Sequence, residues 1–251
     1  MSGEILISAD RLTKSFAGFV AVNNVSLDVR RGTIHALIGP NGAGKTTFFN
    51  LLTRFQSPTS GRILYKGRDI THSRPHEIAR LGIVRSFQIS AVFPHLTVLE
   101  NVRVALQRFR HDNFFFWRSD WALNALNARA MALLEDVGLQ AHAGSLAAEL
   151  PYGRKRVLEV ATTLALEPEL LLLDEPTSGM GREDIGRIVE LIRRVAANRT
   201  VLMVEHNLSV VADLSHRITV MQRGEILADG TYAEVSRHSA VIEAYMGAGD
   251  A

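Results

Sequence analysis

The sequence predicts an α/β protein with a parallel sheet flanked by helices, on three observations. Ile34 to Ile38, Leu170 to Leu173 and Thr200 to Val204 are apolar runs of strand length, as strands buried on both faces require. Two of them adjoin helical patterns: Phe48 to Leu52 follows the first, and Ile185 to Ala196 follows the second, the alternation of a sheet with crossover helices. Upstream, Val25, Leu27 and Val29 alternate with Ser26, Asp28 and Arg30, which marks a half-buried antiparallel strand.

Bulk properties narrow the class. A chain of 251 residues buries a substantial core as one large domain. Apolar residues at 47 % and charged residues at 22 % are ordinary for a globular protein, and a net charge of +2 is too small to argue for nucleic acid. No apolar run approaches the roughly 18 residues of a membrane span, and Met1-Ser2-Gly3-Glu4 lacks a basic signal region, so the expectation is a cytoplasmic chain. The lack of cysteine excludes disulfides and thiolate metal sites.

In chain order, Ile5 to Ile7 opens the strand-like N-terminal region. Phe16 and Val22 lie upstream of the first buried strand; an aromatic there either stacks on adenine or packs in a hairpin. After Ile38 comes Gly39-Pro40-Asn41-Gly42-Ala43-Gly44-Lys45-Thr46-Thr47, a glycine-rich turn between a strand and a helix, which is the setting of a P-loop. Its backbone N–H groups and the helix N-terminus suit phosphate oxygens. Lys45 would reach the β- and γ-phosphates, Thr46 would place its hydroxyl on Mg²⁺, and Thr47 would contact the α-phosphate region.

Ser57 to Gly61 is a turn and Arg62 to Tyr65 a short strand. Gly82 to Gln88 reads as another strand; Gln88 at its exit either serves Mg²⁺ or a water, or is a solvated amide. Between Thr97 and Leu139 the pattern is helical, with Leu123, Leu126, Ala130, Leu133, Leu134 and Val137 at helical spacing and Gly138 as a stop. An aromatic cluster, Phe114 to Trp117, is either a docking surface for a membrane partner or a cap over that core. Pro151 suits the first turn of the next helix, through Leu164. Asp174 and Glu175 end the four-leucine strand, where a P-loop fold holds Mg²⁺ and polarises a water. His206 stands at the exit of the strand Thr200 to Val204 and so faces the same crevice, or else is structural. Arg217 to Met221 and Gly224 to Leu227 form a hairpin, and a last helix ends near Met246.

The order of these features, from the P-loop through Gln88, the loop at 150 to 154 and Asp174-Glu175 to His206, resembles the ATP-binding subunit of ATP-binding cassette (ABC) transporters over essentially the whole chain. Phe93 to Val102, the aromatic insertion and Val241 to Gly247 are most similar to the ATPases of branched-chain amino acid importers. The resemblance implies a P-loop NTPase core with an antiparallel β-subdomain and a helical subdomain, the latter near residues 91–159 and the rest near 1–90 and 160–251. It implies ATP and Mg²⁺ as cofactors. Phe16, Val22, Asn41, Gly42, Ala43, Gly44, Lys45, Thr46, Thr47 and Gln88 would bind nucleotide, and Thr46, Gln88 and Asp174 would serve the metal. Glu175 would be the general base, with His206 and Lys45 at the γ-phosphate. Implied partners are transmembrane permease subunits, a second ABC ATPase subunit and an extracytoplasmic solute-binding protein, with the chain peripheral on the cytoplasmic face of the bacterial inner membrane.

Two departures stand out. The signature loop of the family usually reads Leu-Ser-Gly-Gly-Gln, whereas here it is Leu150-Pro151-Tyr152-Gly153-Arg154, and Pro151 offers neither hydroxyl nor N–H. Gly181 stands where the family usually carries aspartate. Both elements serve the opposite site of a dimer in the family, so the expectation is a heterodimer. The rival expectations are an ABC ATPase for another cargo, such as urea, another small solute or an exported lipid, and a soluble ABC ATPase.

Overall fold

The computed structural model describes residues 3–86, 92–107 and 126–246. These fall into two compact units, one within Met1–Arg85, Glu169–Thr177 and Ile192–Ala251, the other within Ser86–Pro168 and Ser178–Leu191. The chain runs through β1 (Ile5–Phe16), β2 (Phe19–Arg30), β3 (Ile34–Ile38), α1 (Lys45–Leu52), β4 (Ser60–Tyr65), β5 (Arg68–Asp69), α2 (Pro75–Arg80) and β6 (Ile83–Arg85). It continues with α3 (Val98–Leu106), α4 (Asn127–Asp136), α5 (Tyr152–Leu164), β7 (Leu170–Asp174), α6 (Arg182–Ala196) and β8 (Thr200–Val204). It closes with α7 (Leu208–Leu214), β9 (Arg217–Gln222), β10 (Glu225–Gly230), α8 (Tyr232–Val235) and α9 (Ser239–Met246).

The first unit holds both sheets. One has the order β2-β1-β4-β5 and is antiparallel throughout. The other runs β10-β9-β3-β8-β7-β6, parallel from β9 to β6, with β10 antiparallel at its edge. Burial follows the expected periods. Val25, Leu27 and Val29 are buried while their neighbours in β2 are exposed, and every residue of β3, β7 and β8 is buried. Helix α1 buries Phe48, Phe49, Leu51 and Leu52 in one cluster with residues of both sheets. Each such side chain contributes about 1.5–3 kcal/mol of hydrophobic stabilisation. Strands β1 and β2 are longer than the alternating pattern announced: in the halves next to the hairpin turn Leu12, Ala21 and Val22 are buried, while Arg11, Phe16, Phe19, Val20, Asn23 and Asn24 are exposed.

At the start of β7, Glu169 accepts from Arg31, Lys66 and, at 3.1 Å, the Tyr65 hydroxyl, so the parallel strand is bonded to the β4 region of the other sheet. Burial opposes ionisation of Glu169, but the hydrogen bonds from Lys66, Arg31 and Tyr65 outweigh it and lower its pKa.

The second unit is helical. Thr97 caps α3, accepting from the Glu100 N–H at 3.2 Å, while the Glu100 carboxylate accepts from the Thr97 N–H at 2.8 Å. Val98, Val102, Leu106, Ala130, Leu134, Leu158 and Ala161 form its interior. Asn101, 2 % exposed, donates to the carbonyls of Phe93 and Thr97 and accepts from the Phe93 N–H, fixing the chain that leads into α3. Gly138, at φ +76°, follows α4 where the sequence placed a stop. Among the described residues no helix is long and apolar enough to cross a membrane.

Candidate active site

The phosphate-binding turn follows from strand β3 and two glycines. Gly39 leaves the strand at φ +149°, and a Cβ there would sit 2.1 Å from the Met221 carbonyl oxygen; Gly44 caps α1 at φ +96°, with a Cβ position 2.4 Å from the Ala21 carbonyl oxygen. Only hydrogen fits at either place. Ala43 is buried beneath the turn, where its carbonyl accepts from the Gly224 N–H at 3.0 Å, while Asn41, Gly42 and Thr46 are exposed. Lys45 begins α1 and folds over the loop, donating to the carbonyls of Gly39 at 2.7 Å and Pro40 at 2.9 Å. Burial lowers its pKa, opposed by the Glu175 and Asp174 carboxylates.

The adjoining strands carry the acidic groups to the same edge. Asp174 ends β7 opposite Val204 of β8, and the Glu175 N–H donates to the Val204 carbonyl at 2.9 Å. Glu175 itself sits at φ +47°, uncommon for a non-glycine residue and in keeping with a functional turn. Asp174 is 2 % exposed, and its Oδ2 accepts from Arg85 Nη2 at 2.5 Å. His206 follows β8 with its side chain 60 % exposed, and its backbone N–H donates to Glu205 at 2.9 Å. Phe16 ends β1, pairs with Phe19 across the hairpin, and remains 41 % exposed with the Lys14 ammonium 4.8 Å from its ring centre. Its position is thus that of a partly exposed hairpin residue.

Val22 departs from expectation. It is fully buried in the core cluster, so its side chain presents no surface to a nucleotide; its strand instead abuts the P-loop side through the Asn23 N–H, 2.8 Å from the Gly224 carbonyl. Gln88 and the aromatic cluster Phe114 to Trp117 lie outside the described residues. The donors for a metal that are described, the Thr46 hydroxyl and the Asp174 carboxylate, suit Mg²⁺ carried in with phosphates, which needs one or two carboxylates and not a protein cage. Among the described residues no cluster of three or more His, Cys, Asp or Glu could hold a metal alone.

In the second unit, Pro151 caps α5 and the Tyr152 hydroxyl donates to the Ser178 carbonyl at 3.1 Å. Gly153 is buried against Asp184, whose Oδ2 would lie 2.5 Å from a Cβ there. The loop at 150 to 154 and the loop after Thr177 are therefore bonded to each other within this unit. Two residues that the sequence did not single out are central here. Arg85 is marked only by its place at the end of a short apolar strand, and Glu205 only as a carboxylate directly after a buried one.

A P-loop closing on a lysine after β3, a histidine at the exit of the neighbouring β8, and an aspartate and glutamate at the exit of β7 beyond it define a P-loop ATPase of the ATP-binding cassette class. The chain belongs to the ABC transporter family, whose profile matches residues 22–178, and a second profile, described as a branched-chain amino acid ATP-binding cassette transporter, matches residues 225–251. It is 40 % identical to LivG of Escherichia coli K12, a high-affinity branched-chain amino acid transport ATP-binding protein, with 96 % of this chain and 98 % of that one covered. It is 38 % identical to BraF of Pseudomonas aeruginosa, described in the same words, over the same shares. Among solved structures, a nucleotide-free ATP-binding cassette from an ABC transporter superposes with a TM-score of 0.84 at 28 % identity, covering 96 % of this chain and 98 % of that one. The ADP conformation of MJ1267, an ATP-binding cassette of an ABC transporter, gives 0.84 at 28 % identity over 97 % and 99 %. The chain is an ATPase subunit of a membrane transporter.

Proposed function

We propose that this chain hydrolyses Mg-ATP to energise import of branched-chain or related amino acids. The observation that carries the solute class is the match at residues 225–251, a segment outside the general cassette match, to a profile specific to branched-chain amino acid transporters. In this reading the amides of Asn41 to Thr47 and the Lys45 ammonium hold the phosphates, and the Phe16 ring stacks on adenine. Thr46, Asp174 and Gln88 would hold Mg²⁺, which would supply positive charge to offset that building on the phosphate oxygens. Glu175 takes the proton of the attacking water as the terminal P–O bond breaks and ADP leaves, while His206 meets the γ-phosphate. The helical stretch near 91–159 docks on two permease subunits at the cytoplasmic membrane face.

Pro151 and Gly181 would weaken what this chain offers a facing site, which favours a different ATPase as partner; the likeness to importer ATPases favours a binding protein outside the membrane as solute donor. The test is to tag the chain in its native host, solubilise membranes gently and identify what co-purifies. Two multispanning proteins with a second cassette ATPase support the reading, and the neighbouring binding protein can be screened against leucine, isoleucine and valine. A soluble chain recovered alone or with ribosomes refutes it, as does a binding protein selective for urea or a lipid.

A further inference from the structure

Glu205 is 0 % exposed, yet it is a carboxylate and none of the assigned roles uses it. A buried charge is tolerated only when its oxygens are satisfied, and here all the partners come from two loops. Oε1 accepts from the Thr177 N–H at 3.0 Å and the Thr177 hydroxyl at 2.5 Å; Oε2 accepts from the N–H groups of His206 at 2.9 Å and Asn207 at 3.0 Å. Thr177 lies two residues past Glu175. The ladder between β7 and β8 stops at Asp174 and Val204, with one further bond from the Glu175 N–H to the Val204 carbonyl. Beyond that point, the carboxylate replaces the sheet as the link between the two strand exits.

We infer that Glu205 is a positioning residue for hydrolysis. It clamps the loop after Glu175 to the backbone of His206, and so fixes the separation between the group that activates water and the group that meets the γ-phosphate. Because the clamp touches neither P-loop nor adenine side, it sets turnover and leaves nucleotide affinity alone. This rests on the roles given above to Glu175 and His206, and the controls separate the two.

The experiment uses the complex that the tagged chain carries with it, comparing ATPase rates with affinity for a fluorescent ATP analogue. Glu205→Gln places an NH₂ group against N–H donors, and the expected loss in kcat is on the order of ten- to a hundredfold, with KM and analogue Kd held within about twofold. Thr177→Val removes one bond at nearly constant shape and should lower kcat roughly two- to tenfold, while Thr177→Ser, which keeps the hydroxyl, restores it. Unchanged kcat in Glu205→Gln overturns the inference, and so does a parallel loss of kcat and affinity. If Glu205→Gln does not fold, Thr177→Val decides, since wild-type kcat in that variant is also fatal. Glu175→Gln runs alongside: full turnover there overturns the base assignment and the purpose of the clamp with it, whereas lost turnover there beside normal turnover in Glu205→Gln overturns the clamp alone.

Discussion

Arg85 Nη2 lies 2.5 Å from Asp174 Oδ2, and the two side chains are only 8 % and 2 % exposed. The same guanidinium donates to Asn50 at 2.5 Å and stands 5.7 Å from the Phe49 ring centre, so one side chain bonds the exit of β6 to β7 and to the P-loop helix. Removing one partner of a buried pair strands the other charge without water. Arg85→Met should cost about 3–5 kcal/mol in urea unfolding, against at most about 1 kcal/mol for Arg193→Met, whose pair with Asp213 is exposed. Equal losses at the two positions would show that burial is not what gives the first pair its weight.

The P-loop glycines should rank by contact. Gly39→Ala drives a methyl into the Met221 carbonyl and is expected to abolish binding of a fluorescent ADP analogue. A Cβ on Gly42 meets nothing within 4 Å, so Gly42→Ala bears only the strain of φ +76°, about 1–2 kcal/mol, and should retain binding. Similar affinities in the two variants would refute the ranking.

Glu175→Gln keeps the side chain's size and removes its basicity. ATP affinity should stay near that of the unaltered chain while turnover in the assembled transporter falls by on the order of a hundredfold or more. Undiminished phosphate release would move the base elsewhere.

Acid should weaken the first unit through His35. This side chain, 1 % exposed, bonds Thr219 Oγ1 at 2.7 Å, and burial pushes its pKa from 6.5 to about 4, opposed by Asp229 and assisted by Arg217. The unfolded chain therefore binds more protons between these values, so stability is intact above pH 6.5 and falls as pH drops towards 4. The loss attributable to this residue is about 3 kcal/mol. Urea midpoints of the unaltered chain and His35→Gln, compared from pH 7 to 4.5, should converge as pH falls; a constant offset would exclude His35.

Local chemistry explains what the sequence disclosed. The buried strands and the P-loop are legible because a continuous apolar run and a glycine turn have few other uses, and Asp174 and His206 follow from standing at strand exits. The burial of Val22 is not legible in the sequence, because proximity along the chain to an open residue such as Phe16 says nothing about which face of β2 a side chain occupies. Arg85 and Glu205 were missed for the opposite reason. Their roles come from strand order, and the β7–β8 and β6–β7 pairings join residues far apart in sequence.

Strand β7 is held differently at its two tips. Asp174 at one end pairs with Arg85 beside the residues proposed for hydrolysis, while Glu169, just before the other, gathers Arg31, Lys66 and Tyr65 and bonds to none of those residues. Thermal tolerance and turnover can thus be tuned apart: replacements around Glu169 offer an engineer, or natural drift between hosts of different growth temperature, a dial for robustness that leaves the hydrolytic clockwork unretuned.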